Sequence, residues 1–276
     1  MAAAEARFWV DGIEGASIPP DDRGLNYADG AFETLDCRDG RICCRTLHLD
    51  RLTESLKVLR FETPGPLAES AFKELDALVD TQHHDGSARL TITRGSGPRG
   101  YAPIESVPRR IVALYPRGAP ASESVRCMVA DTRWAEQPLF AGSKALARAE
   151  QVLAAAEAMS AGVDDALMMD LDGRVISSSR GNIFLLLGET VVTPSLERCG
   201  IKGTRRRLLL DSVFPGLGVP VDIRAVTQTD IEQSDQIMIC NALQGLVWVS
   251  QMGNRQWSKS PLYERFRYAL LREAQR

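Results

Sequence analysis

Pro116-Arg117-Gly118-Ala119-Pro120-Ala121-Ser122 divides the chain. Two prolines without amide hydrogens and an intervening glycine neither hold a helix nor sustain a sheet ladder, so the run reads as an interdomain linker. The residues on either side should then pack around separate cores. We expect a small α/β domain over 1–116, a linker over 117–122, and a larger α/β domain over 123–276 that carries the chemically interesting lysine, Lys144.

Towards the N-terminus the grammar is that of strands and hairpins. Arg7 to Val10 reads as a strand turned at Asp11-Gly12, and the segment 29–35 runs through Asp39-Gly40 into a partner at 41–44. From Leu47 the spacing changes: Leu49, Leu52, Leu56 and Leu59 recur at intervals of three and four, the signature of one helix face. A second helix is expected over 66–81, then alternating strands over 88–93 and 110–115. Beyond the linker we read a strand at 125–129, then Gly142-Ser143-Lys144 leading into an alanine-rich helix that ends near Met159. Strands follow over 165–170, 174–177, 182–187 and 190–193, a helix over 205–210, strands at 236–240 and 247–249, and an amphipathic helix over 263–271. Strands and helices alternate without a regular βαβ period, so the fold class is α+β in two domains rather than one doubly wound sheet.

Composition narrows the function. The 276 residues are 44% hydrophobic and 25% charged with net charge -3, which argues for an ordered globular chain and against a cationic surface for nucleic acid. Six cysteines, dispersed but for the pair Cys43-Cys44, form neither a metal clamp nor a secreted disulfide framework. No apolar run approaches the ~20 residues of a membrane span, and early charges at Glu5, Arg7 and Asp11 break any signal region. A reduced, cytoplasmic location is the expectation. No GxxxxGKS loop is present, and His48, His83 and His84 are too few for a histidine metal cluster, so no metal is expected.

Only five lysines exist to supply a primary amine. Lys144, flanked by Phe140, Ala141, Ala145, Leu146 and Ala147, can be shielded from water and act as a nucleophile; a lysine snorkelling from a helix start is the plainer alternative. Arg148 and Gln151 follow at four and seven positions, on what would be a similar helix face. In Gly200-Ile201-Lys202-Gly203-Thr204-Arg205, Gly203 permits close backbone approach and a helix starting near Thr204 would aim amides at a phosphate; an ordinary loop is equally compatible. Arg51 offers a bidentate phosphate contact or an ion pair with Asp50 or Glu54. Cys240-Asn241-Ala242-Leu243 ends a strand as a polar site or as a turn. Arg94 and Arg99, on the glycine-rich run ending at Tyr101, suit a carboxylate-bearing substrate, or else a solvated loop. Asp21, Asp22 and Arg23 read as loop electrostatics.

Taken in order, Asp22-Arg23-Gly24, Asp29 to Thr34, His48 to Leu52, Arg94 to Tyr101, Ala141 to Lys144, Gly181-Asn182-Ile183-Phe184, Gly200 to Arg205 and Cys240 to Leu243 resemble the fold-type IV pyridoxal-phosphate enzymes, the D-amino acid and branched-chain aminotransferase-like fold. The likeness covers nearly the whole chain, and the arginine-glycine run ending in Tyr101 resembles the lyase branch more than the transaminases. The resemblance implies pyridoxal 5'-phosphate anchored covalently on Lys144, its phosphate gripped by Arg51 and the backbone near Gly203, Thr204, Asn241 and Ala242. Arg94, Arg99 and Tyr101 would face substrate. It further implies carbon-oxygen lyase chemistry that converts 4-amino-4-deoxychorismate into 4-aminobenzoate and pyruvate for folate synthesis, in a homodimer. The alternatives are a D-amino acid or branched-chain aminotransferase, or a catalytically weak cofactor-binding homologue. The last arises because Ser177 stands where the family pattern has a glutamate against the pyridine nitrogen, and serine supplies a hydrogen bond but no countercharge.

Overall fold

The computed structural model describes residues 5–104, 106–120 and 122–275, so Ala121 of the expected linker lies outside the described residues, as do the ends of the two expected domains and Glu105. The chain forms two compact units. One takes residues up to Ala119 together with Ser143–Ala147, and the other takes Pro120–Gly142 and Arg148 onward. Two details differ from the sequence reading. Arg117 is not slack linker: its guanidinium donates to Asp85 at 2.6 Å and to the Cys37 carbonyl at 2.7 Å, which fastens it to the first unit. And Lys144 belongs to the first unit, although its sequence position falls inside the expected second domain.

The first unit is a six-stranded antiparallel sheet in the order β2-β1-β6-β5-β3-β4, built from β1 (Arg7–Val10), β2 (Ile13–Glu14), β3 (Gly30–Arg38), β4 (Arg41–Ile42), β5 (Gly86–Thr93) and β6 (Arg109–Pro116). Helices α1 (Arg23–Tyr27), α2 (Arg45–Val58) and α3 (Pro64–Thr81) belong to the same unit. Pro64 fits the first turn of α3, where a missing amide hydrogen costs no helical bond. The strand expected over 41–44 stops at Ile42 because Cys44 takes a left-handed conformation (φ 54°) and caps α2. Leu52 and Leu56 enter the core with Leu35, Phe72, Leu75 and Leu90, while Leu49 and Leu59 only flank it. The remaining places on the inner face of α2 go to His48 and Ser55, both buried. Charges read as loop electrostatics are structural: Asp22 caps α1 by accepting from Gly24 N–H at 2.8 Å, and Arg23 is fully buried.

The second unit holds a nine-stranded mixed sheet ordered β12-β11-β10-β13-β14-β7-β8-β9, with β15 paired to β14. Its strands are β7 (Ser124–Val129), β8 (Asp165–Met169), β9 (Val175–Ser178), β10 (Asn182–Leu187), β11 (Thr190–Pro194), β12 (Val221–Arg224), β13 (Gln236–Asn241), β14 (Gly245–Met252) and β15 (Arg255–Gln256). Helix α4 (Ala149–Ser160) packs on β8, and α5 (Thr204–Leu208) runs on through a π-helical stretch (Leu209–Val213) into α6 (Phe214–Gly216). Helices α7 (Gln228–Gln233) and α8 (Pro261–Ala274) complete the unit. Phe214 packs edge-on against Phe184 and Phe266, tying the π-helical run and α8 to β10.

The helix expected from Gly142 begins only at Ala149. Residues 143–147 are extended instead: Ala145 bridges Ala31 antiparallel, Phe32 N–H donates to the Lys144 carbonyl at 3.0 Å, and Leu146 N–H donates to the Gly30 carbonyl at 2.9 Å. Sheet-type pairing with β3 thus overrides the helix propensity of alanine. All six cysteines are free thiols, and Cys37, Cys127, Cys199 and Cys240 are buried. Burial pushes the Cys37, Cys199 and Cys240 thiols up to about 12 and the Cys127 thiol up as well. Among the described residues, no helix is long and apolar enough to cross a membrane.

Candidate active site

Strand alternation puts Ala31, Glu33, Leu35 and Cys37 of β3 on one face, three of them in the first unit's core. Glu33 is the exception in that row and is fully buried, so it needs partners. Helix α2 provides them one turn apart. Arg51 Nε donates to Glu33 Oε1 at 2.8 Å, its Nη2 pairs with Oε2, and His48 Nδ1 lies 2.6 Å from the same oxygen. Burial by itself would raise the Glu33 carboxyl; the charge and hydrogen bonds of Arg51, followed by those of His48, outweigh it and hold the group down at about 2. An ionised carboxylate only accepts, so His48 carries its proton on Nδ1. Glu33 is a carboxylate partner for Arg51 that only three-dimensional pairing brings near, and Glu54 lies by Lys57.

The next turn of α2 reaches the lysine. Ser55 Oγ–H donates to the Arg51 carbonyl at 2.8 Å and accepts the Lys144 N–H at 3.0 Å. Together with the bonds to Phe32 and Gly30, this fixes the main chain on both sides of the amine-bearing residue. Lys144 Nζ lies 4.3 Å from the Phe32 ring centroid, and the half-buried Arg89 guanidinium lies 3.8 Å from the same centroid. One ring therefore gathers two cationic side chains, an environment that draws anions. Glu33, Ser55, Phe32 and Arg89 were not singled out from sequence. The signal was there for two of them: a glutamate in an apolar alternating row, and a serine at the buried spacing of α2.

The second unit gathers another set. Asn182 opens β10 opposite Cys240 of β13; its Nδ2 donates to the Ile201 carbonyl at 2.8 Å and its Oδ1 accepts the Gly203 N–H at 3.1 Å. Gly142 N–H donates to the Gly200 carbonyl and Lys202 N–H to the Gly142 carbonyl, so the residue preceding Ser143-Lys144 is stitched to the same loop. Gly203 and Thr204 stand at the start of a helical run that continues to Gly216, and Arg205 Nη2 donates to the Ala242 carbonyl at 3.2 Å. Gly203, Thr204 and Ala242 are thereby brought together. The Asn241 side chain supports a turn: Oδ1 accepts from Leu243 and Gln244 N–H, and Nδ2 donates to Gln244. A Cβ on residue 203 would stand 2.2 Å from Asn182 Oδ1, so only glycine keeps this cradle closed. Ser177 is buried on β9, and its Oγ–H donates to the Ser178 carbonyl at 2.8 Å.

The residues expected to face substrate are dispersed. Arg94 is buried: its Nε donates to both Asp29 oxygens at 3.0 and 2.9 Å, its Nη2 reaches the Leu59 carbonyl at 2.5 Å, and its plane covers the Phe61 ring. Those bonds root the glycine-rich loop. Its far end is held by Arg23, which donates to the carbonyls of Gly100 and Tyr101, both at 2.8 Å. Arg99 is exposed, and Tyr101 is 88% exposed with its ring edge against Tyr27.

The family model for amino-transferase class IV matches residues 30–252, and the chain belongs to that family. Its fold is the two-unit α+β fold of type IV. Among individual relatives, it is 32% identical over 251 residues to the aminodeoxychorismate lyase of Vibrio harveyi, covering 88% of this chain and 90% of that protein. It superposes on the 4-amino-4-deoxychorismate lyase structure from Pseudomonas aeruginosa with a TM-score of 0.88 and 39% identity, covering 95% and 97% of the two chains. A bifunctional aminodeoxychorismate lyase / D-amino acid transaminase of Mycobacterium tuberculosis is 27% identical over 259 residues, 89% of each chain.

Proposed function

We propose that the chain is a pyridoxal-phosphate-dependent carbon-oxygen lyase that converts 4-amino-4-deoxychorismate into 4-aminobenzoate and pyruvate, an aromatic precursor of folate. The observation that carries the reading is Lys144, an amine whose main chain is fixed by Ser55, Phe32 and Gly30, in a chain 32% and 39% identical to lyases of that name. The residues fit the cofactor. Lys144 supplies the anchoring amine, and Gly203, Thr204 and Ala242 form a cradle that a single Cβ would fill. Arg51, its plane set by Glu33, adds a cation for the phosphate. Ser177 is the residue for the pyridine nitrogen.

Bound pyridoxal phosphate supplies an electrophilic carbonyl and a conjugated ring that accepts electron density. The chain's own work is proton transfer. Lys144 Nζ takes the hydrogen from the amine-bearing ring carbon, the enolpyruvyl C–O bond on the adjacent ring carbon breaks as the ring becomes aromatic, and the same amine returns the proton to the departing enolpyruvate. Aromatisation provides much of the driving force, which eases the demand on a pyridine-nitrogen partner that is serine rather than carboxylate. Cationic neighbours such as Arg89 favour the negative charge on the leaving group. The protein works as a homodimer in the cytoplasm, in keeping with its free thiols.

Purified protein saturated with cofactor should release pyruvate and 4-aminobenzoate in equal amounts from aminodeoxychorismate without any oxoacid. The Mycobacterium tuberculosis relative favours one second reading, a D-amino acid transaminase activity alongside the lyase. Conversion of the cofactor to its amine form by D-alanine, with no pyruvate released from aminodeoxychorismate, would replace the lyase assignment with that one.

A further inference from the structure

Several arginines shielded from solvent are matched by a carboxylate: Arg51 by Glu33, Arg94 by Asp29, Arg109 by Asp22. Arg148 is not. Its Nε and Nη1 are shut off from solvent without a hydrogen-bond partner, and so are both amide atoms of Gln151, three residues further on. Arg148 precedes the first residue of α4, with its guanidinium 5.7 Å from the centroid of the buried Trp134 ring. The acid beside it, Glu150, is turned to Ala135, whose N–H it accepts at 3.0 Å. A desolvated cation beside an unpaired amide is costly unless an anion arrives. Guanidinium and amide donors three residues apart at the start of one helix suit the two oxygens of a carboxylate, and Gln151 Oε1 is left to accept from a hydroxyl or water.

We infer that Arg148 and Gln151 bind a carboxylate of the substrate. The inference rests on the lyase reading, whose substrate carries one carboxylate on the ring and one on the enolpyruvyl group. It assigns the role to arginine donors that lack a partner, whereas those of Arg94 are spent on Asp29 and two main-chain carbonyls. Each product retains one of the two carboxylates, so 4-aminobenzoate and pyruvate tell the sources apart.

The test combines kinetics, calorimetry and melting of the cofactor-loaded protein. Arg148→Gln should raise KM for aminodeoxychorismate roughly 30-fold while kcat stays within about threefold, the loss expected for one charge-assisted pair. Gln151→Glu places a carboxylate where the ligand's would sit, one turn from Arg148. It should raise KM comparably and raise the thermal midpoint, because it supplies the missing counterion. A purely structural Arg148 would not couple weaker substrate binding to a more stable protein. In calorimetry, wild type should bind whichever product bears the recognised carboxylate, and both variants should lose it at least tenfold. Unchanged KM in both variants, undiminished product binding, or a lower midpoint in Gln151→Glu would overturn the subsite. If wild type releases no pyruvate at all, the lyase reading fails separately. The calorimetry then still decides whether these two residues hold a carboxylate.

Discussion

Lys144→Ala protein should release pyruvate from aminodeoxychorismate at least about a thousandfold more slowly than wild type, because one amine anchors the cofactor, removes the proton and returns it. Each task alone is worth about a hundredfold or more, and the alanine side chain can perform none of them. The fold should survive, since the residue is held through its main chain, by Ser55 and Phe32, and alanine keeps both bonds. The thermal midpoint should then move by no more than about 2 °C. Borohydride reduction of cofactor-loaded wild type, followed by peptide mapping, should place the adduct on Lys144 and find none in the variant. An adduct on another lysine would refute the assignment.

Glu33→Ala should be the most destabilising single change, roughly 3–5 kcal/mol, because it strands a guanidinium that is 11% exposed and a fully buried imidazole without their shared carboxylate. The same group sets an acid limb. Its carboxyl is held at about 2 in the folded protein against 4.5 in the reference state, so below 4.5 the unfolded chain binds the extra proton. Stability contributed by Glu33 is therefore fully present above pH 4.5 and disappears as pH falls from there towards 2, by roughly 3 kcal/mol in all. Urea melts at stepped pH should show this decline in wild type and a shallower one in Glu33→Gln. Equal slopes would mean that Glu33 is not the titrating group.

How much of this was readable from residues alone follows the range of the interactions. Strands marked by local alternation and turn pairs, Arg7–Val10 and Asn182–Leu187, lie where the pattern puts them. Short elements without a periodic signal, α1, β12 and α7, were passed over. The alanine-rich helix ending near Met159 forms over Ala149–Ser160, but its start lies later than expected from Gly142, because the stretch around Lys144 pairs with β3 over a hundred residues earlier, and local propensity cannot report a pairing at that distance. The site behaved the same way. Lys144, Gly203 and Thr204 stand out by composition and spacing, whereas Arg94 shows its role only once Asp29 and the Leu59 carbonyl are beside it.

The buried thiols have a consequence for watching this protein open. A sulfhydryl held protonated in the interior cannot attack an alkylating reagent until its surroundings part, so labelling keeps time with local unfolding. Cys37 keeps that clock for the sheet around Lys144, while Cys127, Cys199 and Cys240 keep it for the other unit. Mass spectrometry of a single alkylation time course would thus read two opening rates from one unmodified chain.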